Sequence, residues 1–252
     1  MLDYKPNKEE LQGKVILVTG AGSGIGRQAA LSYASLGATV ILLGKTVEKL
    51  EAVYDEIEAA GGPQPAIIPL DMKGATETNY QDMADTIEGQ FGRLDGLLNN
   101  ASMLGSLTPL EHVSVETFNE VMQINLQAQF MLTKAVLPLM KTSANEHGDA
   151  SIIFTSSGVG RKGRAFWGPY AISKFATEGM MEVWADELEQ TKVRVNCINP
   201  GGTRTPMRAL AYPAENPQTL KTPEEIMPLY LYLMSSDSKH TTGQSLDAQP
   251  KR

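Results

Sequence analysis

Short continuous apolar runs alternate along this chain with longer stretches whose apolar positions recur every three or four residues. A continuous run reads as a strand covered on both faces, and the longer period as a helix laid on a sheet. Strands are predicted at residues 14–19, 38–43, 64–70, 94–99, 151–157, 193–198 and 244–248, after a polar lead-in over 1–13. Helices are predicted at 27–36, 47–60 and 76–91, from the Ser114 cap to about Met140, and from Tyr170 to Gln190. A last helix runs to about Ser235 from the capping box Thr222-Pro-Glu-Glu225. Residues 206–221 carry Pro, Ala and Met without a period and read as a loop covering a substrate. There is no internal repeat or linker. Strict β–α alternation predicts a single α/β domain over residues 1–252, a doubly wound parallel sheet of about seven strands with helices on both faces. The sheet order reverses between the third and fourth strands, which puts a ligand crevice there.

Composition narrows the partners. The 252 residues carry a net charge of −7, which argues against nucleic acid or an anionic membrane surface. Cys197 is the sole cysteine, so a disulfide within the chain is impossible and a reducing, cytoplasmic setting fits. The opening ten residues have no apolar run resembling a signal peptide, and no window approaches a membrane span. His112, His147 and His240 are scattered without metal-site spacing, so no metal is expected.

The chemistry sits at strand ends. The first strand runs into Gly20-Ala-Gly-Ser23-Gly24-Ile25-Gly26, where glycines let backbone amides approach a phosphate and a helix N-terminus adds its positive end. Arg27 stands where the commoner G-x-G-x-x-G would place its last glycine. The second strand ends in Gly44-Lys45, with no acid before Glu48. A cation there favours a ribose 2′-phosphate, hence NADP(H) over NAD(H), the alternative being an ordinary solvated lysine. Asp71 after the third strand either meets a ligand or caps the next helix. Asn125 lies mid-helix, a poor place for asparagine unless its side chain has work.

Tyr170 and Lys174 are one helical turn apart on one face. Bringing a phenol from near 10 toward neutrality needs roughly 4 kcal/mol. An ammonium at about 4 Å and an effective dielectric near 20 supplies that much, so the pair has the means for acid/base work. Arg161-Lys162-Gly-Arg164 reads either as an anion site or as a solvated loop. Leu104, Phe166, Trp167 and Met207 are candidate pocket walls. Ile172, Ala176, Met180 and Val183 form one apolar stripe, and Met181, Trp184 and Leu188 another. Two stripes predict one face on the sheet and one on a second copy, as homodimer or homotetramer.

In this order, Thr19-Gly-x-x-x-Gly-x-Gly26, Asp71, Asn99-Asn-Ala101, Asn125, Ser157, Tyr170-x-x-x-Lys174 and Pro200-Gly201 resemble the short-chain dehydrogenase/reductase family along nearly the whole chain. The resemblance implies a Rossmann-type fold and hydride transfer between NADP(H) and a small carbonyl or alcohol substrate. It makes Tyr170 the acid/base, has Lys174 lower its pKa and hold the nicotinamide ribose, and sets Ser157 on the substrate carbonyl. Asn125 would anchor a water between Lys174 and solvent. Gly20, Ser23 and Ile25 would line the pyrophosphate and ribose, and Asp71 the adenine. Asn99 and Ala101 would contact the adenosine side, and Thr203 and Thr205 the carboxamide. Two positions depart from the family. Ser102 replaces a glycine, which strains any positive φ there. Asp247-Ala-Gln-Pro250 replaces the usual Asp-Gly-Gly, which leaves subunit packing open. The rival reading is an NADP-binding redox sensor or interaction protein with little turnover. Such a protein is expected to lose part of the Asn–Ser–Tyr–Lys set, and all four residues are present.

Overall fold

Alternate residues of the first strand, β1 (Val15–Thr19), enter two separate cores. Val15 and Leu17 join Met83, Ile87, Leu132 and Met181 on one side; Ile16 and Val18 join Ala29, Tyr33, Leu50 and Leu233 on the other. β2 (Thr39–Gly44) repeats the division, with Ile41 and Leu43 opposite Val40 and Leu42. Fully burying one such aliphatic side chain contributes about 1.5–3 kcal/mol. Both faces are therefore covered, which is why the strands read as unbroken apolar runs.

The computed structural model describes residues 1–250; residues 251 and 252, included in the domain expected over 1–252, lie outside the described ones. β3 (Ala66–Pro69), β4 (Gly96–Asn99), β5 (Ala150–Thr155), β6 (Val193–Asn199) and β7 (Gln244–Asp247) complete a seven-stranded sheet of order β3-β2-β1-β4-β5-β6-β7. Every pairing is parallel. Helices α1 (Gly24–Ala34), α2 (Val47–Ala59) and α8 (Pro223–Met234) cover one face. Helices α3 (Glu77–Phe91), α5 (Ala128–His147) and α6 (Gly168–Glu187) cover the other, with α4 (Val115–Met122) leading into α5. The order reverses on the passage from β3 to β4, as expected, and this leaves the crevice between the neighbours β1 and β4. Thr19 fastens that seam: its hydroxyl donates to Leu98 O at 3.2 Å and accepts from the Asn100 and Ala101 amides, both at 2.9 Å.

Two elements differ from their prediction. The helix after Ser114 extends to His147 and is broken by a π turn at Gln123–Gln127. Its polar last turns hold because Ser143 is buried, donating to Leu139 O and accepting from Leu94 N. Residues 206–221 are not a plain loop. Thr205 caps α7 (Pro206–Ala211), and a 3-10 turn follows at Pro217–Thr219. Arginine bonds order this segment in place of an apolar period: Arg204 Nε reaches Pro217 O at 2.8 Å, and Arg208 clasps Glu215 through two bonds of 2.6 Å. Ser102 carries no strain, since among the described residues Phe166 is the one non-glycine with positive φ, and Gly105 (φ 68°) takes the left-handed turn nearby. Among the described residues no helix is long and apolar enough to cross a membrane.

Candidate active site

Pro169 in the first turn of α6 starts the helix with its missing N–H harmless, and Tyr170 and Lys174 follow on its inner face. Tyr170 is 7% exposed and lines a cleft of about 400 Å³ beside Thr155, Ser156 and Ser157 from the end of β5. Lys174 lies beneath, fully buried, its Nζ 5.5 Å from the Tyr170 ring centroid and donating to Thr155 O at 2.7 Å. Burial pushes the phenol up to about 12, while the Ser157 hydroxyl pulls the other way. Burial also brings the ammonium down to about 8, against an upward pull from Glu178. The ammonium is expected to draw the phenol toward neutrality; here Nζ donates to the Thr155 carbonyl, and desolvation is the largest influence on the phenol. A phenol held this high stays protonated at neutral pH, which suits giving a proton to a carbonyl oxygen.

At the other end of the cleft stand Gly20, Ser23, Gly24 and Ile25. Gly20 has φ 66°, and a Cβ on it would come within 3.1 Å of the Ala101 backbone. Gly26 is outside the lining: a Cβ there would meet Gly20 O at 2.4 Å, so its task is the close approach of turn and helix. Gly44, Lys45 and Asp71 line the cleft as predicted positions, with Ala101, Pro200, Gly201, Thr203 and Thr205. Asp71 Oδ1 accepts from Lys73 N at 3.0 Å, while Thr76 rather than Asp71 caps α3. An open backbone cradle at a helix N-terminus and exposed cations beyond β2 fit an elongated, phosphate-bearing dinucleotide.

Asn99 is a correction. Its amide turns away from the cleft and donates to Thr133 Oγ1 at 3.1 Å, and Asn100 lines the cleft instead. Asn125 is also outside the lining: it accepts from Met103 N at 2.8 Å and donates to Met103 O at 2.9 Å and Ser173 Oγ at 3.0 Å. These bonds tie the segment at Met103 to α6, at the place where Asn125 is expected to anchor a water. The basic cluster also stands apart from the cleft. Arg161 binds Ser245, Glu178 and Asp247, and Arg164 donates to Tyr212 Oη at 2.6 Å. Leu104, Trp167 and Met207 line the cleft, whereas Phe166 is 57% exposed outside it.

Besides Asn100, Lys49 and Gln249 escaped sequence reasoning. Lys49, one turn into α2, lines the cleft with Lys45, and the helical spacing was the available signal. Gln249 sends its Nε2 to Pro200 O at 2.8 Å, Gly202 O at 3.0 Å and Thr203 Oγ1 at 3.3 Å, pinning the loop after β6. The departure from Asp-Gly-Gly marked that place, but no local pattern showed where the side chain would reach.

A glycine-rich strand-to-helix turn at the switch point of a doubly wound parallel sheet, with a buried Tyr–Lys pair at the same cleft, defines a dinucleotide-binding oxidoreductase. Residues 14–216 match the short chain dehydrogenase family, and the chain belongs to it. Over 252 residues it is 54% identical to the uncharacterized oxidoreductase YciK of Escherichia coli (strain K12), covering 100% of this chain and 98% of that protein. A crystal structure of a short chain dehydrogenase from Shigella flexneri, complexed with NADP, superposes with TM-score 0.93 at 54% identity, covering 97% of this chain and 100% of that one. Another from Escherichia coli CFT073, complexed with NADPH, gives TM-score 0.93 at 53% identity with the same coverage.

Proposed function

We propose that the protein reduces a small-molecule carbonyl substrate with NADPH, or oxidises the corresponding alcohol with NADP⁺, in the cleft walled by Tyr170. One observation carries the reading: the Tyr170 phenol and the Ser157 hydroxyl share that wall, with the Lys174 ammonium buried directly behind. The bound nicotinamide supplies or accepts the hydride. Tyr170 Oη gives its proton to the carbonyl oxygen, and Ser157 steadies the charge developing there. Lys174 holds positive charge beneath the ring. Thr203 and Thr205 hold the carboxamide end, while Gly20, Ser23 and Ile25 line the pyrophosphate.

Lys45 and Lys49 support the choice of NADP(H): both are exposed, both line the cleft, and neither forms an ion pair among the described residues. Relatives about half identical to this chain that hold NADP or NADPH support it too. Exposed Phe130, Ile172, Phe175 and Val183 on α5 and α6 support a homo-oligomer built on that face. Cys197, buried and unpaired, accords with a reducing, cytoplasmic setting. Following NADPH absorbance over a panel of aldehydes and ketones tests the reading. Tight NADPH binding with no consumption across the panel would favour a sensor over an enzyme.

A further inference from the structure

The wall beside Tyr170 is apolar, made by Met103, Leu104, Trp167, Met207 and Ala211. Three large apolar side chains stand exposed close to these lining residues. Leu110, Phe166 and Leu210 are 56%, 57% and 74% exposed, respectively. Phe166 and Leu210 adjoin the lining residues Trp167 and Ala211 in the chain, and Leu110 packs beside Gly168 at the start of α6. Phe166 directly precedes Trp167, whose ring lies 5.8 Å from Tyr170 and 5.8 Å from Tyr212 at the end of α7. Leu210 is on α7 itself, and Leu110 Cδ1 would sit 3.2 Å from a Cβ at Gly168. A soluble surface seldom gathers large apolar side chains without a use for them.

Phe166 adds a second signal. It has φ 72°, a conformation that disfavours a bulky residue, and it holds an aromatic ring in solvent. Strain of this kind gathers where a ligand is handled. Two guanidiniums beside Tyr212 are already engaged: Arg208 is clasped by Glu215 and stacked 3.9 Å over Tyr212, and Arg164 bonds to Tyr212 Oη. They leave the passage without an open guanidinium for an anionic substituent.

Resting on the reductase reading, we propose that the substrate carbonyl carries a long, uncharged apolar arm that leaves the cleft past Trp167 and Met207 and lies across Phe166, Leu110 and Leu210. The test is kcat/KM with NADPH for straight-chain aldehydes from butanal to dodecanal. The wild type should gain up to about fourfold per methylene while the arm is being covered. Phe166→Gly keeps the backbone relaxed, because glycine takes this φ freely. Combined with Leu210→Ser, it should cut the dodecanal-to-butanal ratio about tenfold or more. A flat wild-type series would overturn the arm and leave the reductase reading standing. So would a rising series whose slope the double variant keeps. A change of oligomeric state in the variant with the slope intact would assign the patch to a second copy and overturn the proposal. Bound NADPH with no aldehyde reduced would overturn the arm, and the reductase reading would fall with it only if the ketones of the panel were also left unreduced.

Discussion

Lys174→Met should make the protein more resistant to unfolding relative to wild type at neutral pH than at alkaline pH. The buried ammonium titrates at about 8 against 10.5 for an ordinary lysine. That difference means burying the charge costs about 3 kcal/mol at pH 7. Methionine fills similar space without charge, but it strands the Thr155 carbonyl, which now accepts from Nζ at 2.7 Å. That loss is about 1–3 kcal/mol, so the net change at pH 7 alone decides little. The pH dependence decides. Between the folded and unfolded pKa values the unfolded chain binds more protons, so wild-type stability rises with pH through that window. From pH 7 to about 9.5 the lysine should return about 2 kcal/mol of stability, and the variant should lack this gain. Buried tyrosines such as Tyr80, pushed up to about 12, act in the opposite sense above pH 10 but are common to both proteins. Urea unfolding without cofactor, at equal m-values, measures the difference. A wild-type minus variant difference in stability that stays constant or falls as pH rises would refute a desolvated, charged Lys174.

Much of this site was legible because strand ends are local. Gly20, Ser23, Gly24, Ile25, Lys45 and Asp71 each follow an apolar run closely, so finding the strand placed the residue at the cleft. Asn99 and Asn100 show the limit. The pair marks the end of β4, but which amide faces the cleft depends on Thr19 and Thr133, far away in sequence. Asn125 was marked as unusual in a helix, yet its partners Met103 and Ser173 belong to other segments. The segment after Thr205 was misread for a related reason: Arg204 and Arg208 order it, and bonds from arginine leave no hydrophobic period. Gln249 is the clearest case. Its reach across to Pro200 and Thr203 is a tertiary contact with no local counterpart.

Tyr170→Phe removes the proton donor without opening the cofactor cradle, so turnover should fall about 10²–10⁴-fold while NADPH affinity stays near wild type. Reduction at the wild-type rate would reject the assignment. Lys45→Asp with Lys49→Ala should weaken NADPH much more than NADH, since two cations near a 2′-phosphate are lost and one is inverted. Equal weakening of both cofactors would place these lysines elsewhere. Phe175→Glu with Val183→Lys puts charge on the exposed α6 stripe and should shift sedimentation toward the 27.3 kDa monomer; an unchanged oligomer would clear that face. Gln249→Glu is the sharpest of the remaining tests, because it keeps the shape and removes only the donor. The new carboxylate oxygen would face Pro200 O, Gly202 O and Thr203 Oγ1, where Nε2 now sits within 2.8–3.3 Å. Losing that clamp should cost about 1–3 kcal/mol, and repulsion should push the loop off its position. Since Thr203 is assigned to the carboxamide, NADPH affinity should drop roughly tenfold. An ADP-ribose fragment lacking nicotinamide should lose far less. If both ligands weakened alike, Gln249 would be holding the fold in general and not the nicotinamide end.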